Sequence, residues 1–220
     1  MTSAELLARL RTMLDEASAG FWTDVEAYAA LSDGQLQLCE LAVGVLKAKK
    51  EASENGDVKI PECLKALLTT EMSVILTSGT ASITLSHEAL ELISVLYTKD
   101  NSQSDSVPCY IRKASYGDVF ISRNVFGTAN ANSEYFVSFQ PPSTVVLETP
   151  VSGSYGSHTS AYIKVPGDIS ATVDPALPSR TMEPIVQFAF ARMLAKDQRL
   201  EESVNAFKNF LQLSQSVVME

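Results

Sequence analysis

The strongest fold signal in this sequence is Ile185-Val-Gln-Phe-Ala-Phe-Ala-Arg-Met-Leu-Ala-Lys-Asp197, followed by Leu200-Glu-Glu-Ser-Val-Asn-Ala-Phe-Lys-Asn-Phe210. In both stretches apolar residues recur every three or four positions, which is the spacing of one face of an α-helix. Lys196-Asp197-Gln198-Arg199 forms a polar joint between them. The segment therefore predicts a C-terminal helical hairpin.

Two further helices are predicted at the other end of the chain. Thr2-x-x-Glu5 is a capping box, and it precedes apolar residues at helical spacing over residues 4–17. A second capping box, Thr23-x-x-Glu26, opens a longer helix. In both motifs the positive end of the helix dipole also stabilises the negative charge of the acidic residue.

The long helix is expected to continue to about Ala52, but Ser32-Asp33-Gly34 weakens its middle. A glycine inside a helix costs about 1 kcal/mol relative to alanine. The tripeptide therefore indicates either a kink or a close contact with another helix. Pro61 suits the first turn of a short third helix that ends near Leu68, since proline lacks an N–H that the first turn cannot use.

The middle of the chain favours β-structure. Short runs of β-branched and aromatic residues, separated by Gly, Pro, Asn and Ser, are typical of strands. The predicted strands are Val74–Thr77, Ser82–Leu85, Leu92–Tyr97, Tyr110–Ala114, Val119–Ser122, Tyr135–Phe139, Thr144–Glu148 and Ala161–Val165. The patterns together predict an α+β protein, in which residues 1–71 and 179–220 form a helical bundle and residues 72–178 form an inserted β-rich domain.

The composition argues against several classes of protein. The chain has 17 Lys+Arg against 26 Asp+Glu, a net charge of −9, and its densest basic run, Lys47-Ala-Lys49-Lys50, is short. A surface that binds nucleic acid needs clusters of Lys and Arg. A membrane-spanning helix needs about 20 nearly uncharged apolar residues. The sequence contains neither pattern. Met1-Thr-Ser-Ala-Glu5 lacks a secretory pattern. The protein is expected to stay in the cytoplasm, with Cys39, Cys63 and Cys109 as buried reduced thiols.

No pattern in the sequence predicts catalysis, a metal or a cofactor. His87 and His158 are 71 residues apart and have no His or Cys neighbours, whereas a zinc site needs several ligands close together. Ser86-His87-Glu88 is interpreted as the first turn of a helix, and the glycine-rich stretch around His158 as a flexible loop. Carboxylate pairs such as Glu88 and Glu91 are interpreted as acids at helix starts. Glycine motifs that cradle phosphates are missing as well.

The lone tryptophan, Trp22, stands next to Phe21 just before the second capping box. Such a pair either packs on its own helix as a hydrophobic staple or serves as a binding hot spot. Packing is the preferred interpretation, because burial is the default for a large aromatic side chain.

Five stretches occur in an informative order: residues 21–42, Leu92–Tyr97, Tyr135–Pro142, Tyr162–Pro166 and Ile185–Asp197. In this order they resemble the bacteriophage head-to-tail adaptor proteins, also called connector or head completion proteins. The resemblance spans about residues 5–215. Its clearest features are the capped start Trp22-Thr23-Asp24 and the final helix with its Lys-Asp joint. Ser32-Asp33-Gly34 and Leu85-Ser86 depart from the family, which usually has helix formers and Leu-Pro at these points.

The resemblance implies a virion structural protein with no catalytic activity and no cofactor. It implies a ring of twelve copies that joins the portal protein to a tail nozzle or tail tube protein at the head–tail junction. In isolation the chain is expected to be a monomer that assembles on the portal. DNA would only slide through the lumen, which the acidic balance favours, and no membrane is involved.

The C-terminal segment is the predicted portal-docking interface. Its apolar residues extend the helical pattern beyond the part needed to cover the domain, and such an overhang needs a partner. The predicted interface residues are Phe207, Phe210, Leu211, Leu213, Val217 and Val218. The alternative is that this segment completes the helical core of its own domain.

A cellular protein-interaction scaffold is the competing function. Ala189 to Phe210 resembles half of a tetratricopeptide unit, which would imply a peptide groove. That architecture needs at least three stacked repeats with a period of about 34 residues. The sequence contains no second copy, so the adaptor interpretation is preferred.

Overall fold

The computed structural model of the chain describes residues 1–16, 20–52, 58–76, 82–98, 106–108, 110–112, 136–147 and 156–219. The chain divides into a helical unit, Met1–Leu67 with Pro166–Glu220, and a β unit, Leu68–Val165. These boundaries differ from the expected ones because Leu68 already begins a strand. In addition, the segment after Val165 is hydrogen-bonded to a helix of the first unit. The α+β class is confirmed.

The helices lie near both ends of the chain, as predicted. The α-helices are α1 (Ser3–Met13), α2 (Asp24–Ala52), α3 (Met182–Lys196) and α4 (Leu200–Val218), and the 3₁₀ helices are Glu62–Leu67 and Ser179–Thr181. The short helix after Pro61 is therefore of the 3₁₀ type. α1 ends before the expected position, since Asp15 adopts a φ of 59°, outside the helical region.

Both capping boxes are confirmed. The N–H of Glu5 donates to the Thr2 hydroxyl at 3.2 Å, and the N–H of Thr2 donates to the Glu5 carboxylate at 2.7 Å. At the start of α2, the N–H of Glu26 donates to the Thr23 hydroxyl at 3.2 Å, and the Thr23 N–H donates to Glu26 at 3.1 Å. At the start of α3, the Thr181 hydroxyl does not cap the helix, because it donates to the carbonyl of Pro178.

Helix α2 passes unbroken through Ser32-Asp33-Gly34, which contacts the C-terminal half of the chain. The Ser32 hydroxyl accepts a hydrogen bond from the N–H of Ile169 at 2.9 Å, and Asp33 forms an ion pair with Arg192 of α3. A Cβ atom at Gly34 would lie 2.8 Å from the carbonyl oxygen of Ile185. Of the two alternatives for this tripeptide, the close helix contact is the one observed.

The side chain of Gln35, in α2, forms hydrogen bonds with the segment that follows the β unit. This side chain is fully buried, its Nε2 donates to the carbonyl of Gly167 at 2.9 Å, and its Oε1 accepts from the N–H of Ala176 at 2.8 Å. Buried amides are costly unless hydrogen-bonded, so these two bonds define the path of the connection. The predicted loop after Pro166 therefore belongs with the helices.

Replacing Gly34 by alanine is expected to destabilise the helical unit. Overpacking costs about 1–3 kcal/mol, and the better helix propensity of alanine returns about 1 kcal/mol, so the net loss is up to about 2 kcal/mol. Gly44 is the matched control on the same helix, since a Cβ there meets nothing within 4 Å. Gly44→Ala should raise stability by up to about 1 kcal/mol. Urea unfolding measures both, and a stabilising Gly34→Ala would contradict the close contact.

The core of the helical unit surrounds α3, which packs against α1, α2 and α4. Leu6 and Leu10 of α1, Leu31 and Leu38 of α2 and Ile185 of α3 are fully buried. Each such side chain contributes roughly 1.5–3 kcal/mol on burial. The C-terminal helical hairpin is thus part of one core with the N-terminal helices.

In its described residues, the β unit contains two four-stranded sheets. The strands are β1 (Leu68–Leu76), β2 (Ser82–Thr84), β3 (Ala89–Thr98), β4 (Ser106–Pro108), β5 (Tyr110–Arg112), β6 (Phe136–Gln140), β7 (Thr144–Leu147) and β8 (Gly156–Lys164). One sheet has the order β1-β8-β3-β4 and the other β2-β7-β6-β5. Neighbouring strands are antiparallel except β5 and β6.

Each predicted strand that falls within the described residues overlaps an observed one. The hairpin around Pro141-Pro142 is confirmed, with Gln140 opposite Thr144. The sequence missed β4, and the predicted strand Val119–Ser122 lies outside the described residues. Both sheets contribute side chains to the core of the unit, which contains Ile83, Leu85, Ala89, Leu92, Val95, Val137, Val145, Leu147 and Tyr162.

Candidate protein interface

The described residues contain no group of three or more His, Cys, Asp or Glu side chains placed to hold a metal ion. Across the same parts of the chain, every helix is too short or too polar to span a bilayer. The expected helix start at Ser86–Glu88 is wrong, because these residues connect β2 to β3, and Glu91 lies within β3. A strand begins here because Ala89 pairs with Lys164 of β8.

A polar cluster around Glu71 occupies this connection. The hydroxyl groups of Ser86 and Tyr162 donate to the same carboxylate oxygen of Glu71, at 2.9 and 3.0 Å. The Nδ1 atom of His87 lies 2.9 Å from the Ser86 hydroxyl oxygen. These hydrogen bonds join β1, β8 and the connection between β2 and β3.

His158 lies in β8, so the predicted flexible loop is wrong. Its Cα lies opposite Ser73 of β1 and Tyr97 of β3, and its side chain is buried. Burial disfavours the charged imidazolium and lowers the pKa of His158 to about 4. The sequence predicted only the second half of this strand, Ala161–Val165, because glycine at the start of the strand is depleted in strands.

The β unit is expected to lose stability as the pH falls, because His158 is buried in its neutral form. An unfolded histidine titrates near 6.5, whereas the folded pKa is about 4. Between these values the unfolded state binds more protons, so lowering the pH from 7 to 4 should cost about 3 kcal/mol. Urea unfolding of the wild type and of His158→Gln between pH 7 and pH 4 tests this prediction. Equal losses in both proteins would contradict this assignment.

Cys39 and Cys63 are buried free thiols, as predicted. Burial raises the pKa of Cys39 to about 12 and also raises the pKa of Cys63. Because the thiolate is the reactive form, neither thiol is suited to nucleophilic or metal chemistry at neutral pH. Cys109 lies outside the described residues.

The aromatic pair before α2 is divided between core and surface. Trp22 is buried, which confirms the packing interpretation, but Phe21 is 68% exposed. The two rings meet edge to face with centroids 4.9 Å apart. Nζ of Lys196 lies 5.0 Å from the centroid of the Trp22 ring. Lys196 also donates a hydrogen bond to Glu26. This bond is the largest of the causes that lower the pKa of Glu26 to about 2.

The predicted docking residues of α4 point in different directions. Phe210, Val217 and Val218 are buried, Leu213 is half-buried, and Phe207 and Leu211 are exposed. The segment is therefore not an overhang, because Val217 and Val218 complete the core of their own unit. Only the exposed members of the predicted set are available to a partner.

The outer face of α4 carries an apolar stripe, which we name the α4 stripe: Leu200, Val204, Phe207 and Leu211, all exposed. Their spacing of four, three and four residues places them on one helix face. The sequence showed this repeat, but a repeat cannot reveal whether its face is covered. Large exposed apolar surfaces mark interaction sites.

Two grooves border the α4 stripe. One, which we name the α3–α4 groove, has a volume of about 430 Å³, and its apolar lining is Phe188, Ala191, Ala195, Val204 and Phe207. The other has a volume of about 800 Å³ and lies between the second half of α2 and the end of α4, with Leu41, Val45, Leu211 and Met219 among its lining residues. Concave apolar surfaces of this kind suit the docking of another protein chain.

Comparison with known protein families identifies the chain. A family model described as SU10 adaptor protein matches residues 1–217. No curated protein matches the chain significantly. The match covers both the helical unit and the β unit, and the chain therefore belongs to the SU10 adaptor protein family, a family of phage adaptors.

Proposed function

We propose that the protein is a virion structural adaptor that forms a ring between the portal and the tail and lets the genome pass through. The observation that carries this proposal is the match of the adaptor family to residues 1–217. The exposed α4 stripe and its grooves support it, because an adaptor needs surfaces for several protein partners. In this function the protein is not an enzyme and works by its shape.

The proposed ring has twelve copies and lies at the head–tail junction, with the portal on one face and a tail nozzle or tail tube protein on the other. A closed ring requires two different, complementary patches on each subunit. The net charge of −9 suits a conduit, because phosphates adhere to clustered Lys and Arg. DNA is therefore a passenger in the lumen.

The lone protein is expected to be a monomer in dilute solution and to form rings on the portal. Each subunit that docks on the portal raises the local concentration for its neighbour. Mass photometry of the purified protein, with and without purified portal rings, measures this directly, and cryo-electron microscopy of the mixture locates the ring. A small stable dimer that ignores the portal would contradict the proposal.

The scaffold alternative receives no support from the described helices. A helical repeat stacks hairpin on hairpin, whereas the α3–α4 hairpin packs against the long helix α2 and against α1. The residues before it, Leu68–Val165, form the β unit rather than a second hairpin. The resemblance of Ala189–Phe210 to a tetratricopeptide unit therefore reflects only a common helical hairpin.

A further inference from the structure

Phe21 is held in a fixed position although its ring is exposed. Its N–H donates to Oε1 of Glu16 at 3.1 Å, and its ring packs edge to face on the buried Trp22. Val25, in the first turn of α2, is also exposed. We name Phe21 and Val25 the Phe21 knob. A rigid aromatic that already points into solvent loses little entropy on binding, which is typical of hot-spot residues.

The α3–α4 groove has the chemistry to receive such a knob. Its volume of about 430 Å³ leaves room for an aromatic ring between the helices. Ala191 and Ala195 make one wall shallow, and Phe188 and Phe207 offer ring surfaces. Aromatic pairs in edge-to-face or offset contact add about 0.5–1.5 kcal/mol beyond the area that they bury.

The charges around the two surfaces have opposite signs. Next to the Phe21 knob lie three acidic residues, Asp15, Glu16 and Asp24. One arginine, Arg11, pairs with both Glu16 and Asp24, so negative charge is in excess there. The α3–α4 groove is lined by two basic residues, Arg192, which is paired with Asp33, and Lys208. Complementary charges orient an encounter and disfavour the wrong partners. An acidic apolar projection is therefore the matching occupant for this groove.

We propose that the Phe21 knob of one copy inserts into the α3–α4 groove of a second copy, and that this contact joins neighbouring subunits of the ring. The inference rests on the proposed function in that it names the lateral contact of the same ring. Every copy carries both surfaces on its helical unit, and they are different patches. Two different patches per subunit are what a head-to-tail contact in a closed ring requires.

The test uses two single-cysteine variants, Val25→Cys, which keeps the Phe21 ring, and Val204→Cys, each alone and mixed, with and without portal rings. A short bismaleimide cross-linker is added, and chains are separated on a denaturing gel. The mixture is expected to give covalent dimers, and either variant alone is expected to give none. The wild type is the control for Cys39 and Cys63, which are buried, and for Cys109.

Each other outcome has a defined meaning. Cross-linking of Val204→Cys to itself indicates packing between two α4 stripes, and cross-linking to the portal indicates a portal segment in the groove, so both overturn the inference. Assembled rings without a cross-link in the mixture overturn the inference and leave the proposed function intact. If the concentrated protein gives mixed dimers but does not bind the portal, the inference stands and only the proposed function is overturned. No cross-link under any condition overturns the inference.

A second variant separates the contact from folding. Phe21→Ala is expected to weaken assembly on the portal by roughly tenfold or more, as hot-spot truncations do, with little change in melting temperature because the ring is exposed. Val173→Ala is the matched control, since Val173 is 47% exposed and lines neither of the two grooves beside the α4 stripe. Equal assembly of the wild type and Phe21→Ala would overturn the inference.

Discussion

A chain that ends at Phe210 is expected to lose about 3–6 kcal/mol of unfolding free energy, because the deleted turns of α4 complete the helical core. Val217 and Val218 are only 8% and 3% exposed, and a buried valine contributes roughly 1.5–3 kcal/mol. Leu213 and Ser214 add further contacts. Thermal unfolding and urea titration of the shortened and full-length proteins measure the loss.

The matched control for this deletion removes only Met219 and Glu220. Met219 is exposed, so the shorter deletion should leave the melting temperature nearly unchanged. Portal co-sedimentation of the same proteins then separates loss of fold from loss of docking. Unchanged stability after removal of residues 211–220, together with lost portal binding, would restore the interpretation of the segment as a docking tail.

Phe210→Ala is expected to destabilise the helical unit by about 3–5 kcal/mol, the usual cost of removing a buried aromatic ring. Phe210 is 1% exposed, and its ring centroid lies 5.1 Å from that of Phe188 of α3. The substitution leaves a cavity between α3 and α4, because the neighbouring helices are held by their own contacts. Urea unfolding of the purified variants gives the free energy directly.

Phe207→Ala is the matched control, since it is the same change three residues earlier on the same helix. Phe207 is 42% exposed, so the expected loss of stability is about 1 kcal/mol. Assembly on the portal is the complementary measurement. If the α3–α4 groove receives the Phe21 knob, Phe207→Ala assembles poorly although it folds. Equal destabilisation by the two substitutions would contradict the orientation of α4.

The features that the sequence predicted well depend on neighbours along the chain. Thr2 with Glu5 and Thr23 with Glu26 form their capping boxes within one helical turn, so the motif itself specifies the geometry. The Pro141-Pro142 hairpin is equally local. The α+β class followed from the helical and strand periodicities of the sequence. The resemblance of five stretches led to a phage adaptor family.

The features that needed the tertiary structure depend on contacts between distant residues. Phe207 and Phe210 have the same chemistry and belong to the same helix, yet one faces solvent and the other faces α3. His158 became a buried strand residue because β1 and β3 pair with β8 on both sides. Whether Gly34 marked a kink or a contact was settled by Ile185, which lies on another helix.

For the candidate interface, the sequence determined which residues are apolar and at what spacing, and it directed attention to α4. It could not show that Phe210, Val217 and Val218 face inward, or that Phe21 and the α3–α4 groove face outward. The reason is physical: helical periodicity is a property of one segment, whereas exposure is a property of what packs against it. That second property exists only once α2, α3 and α4 are assembled in one core.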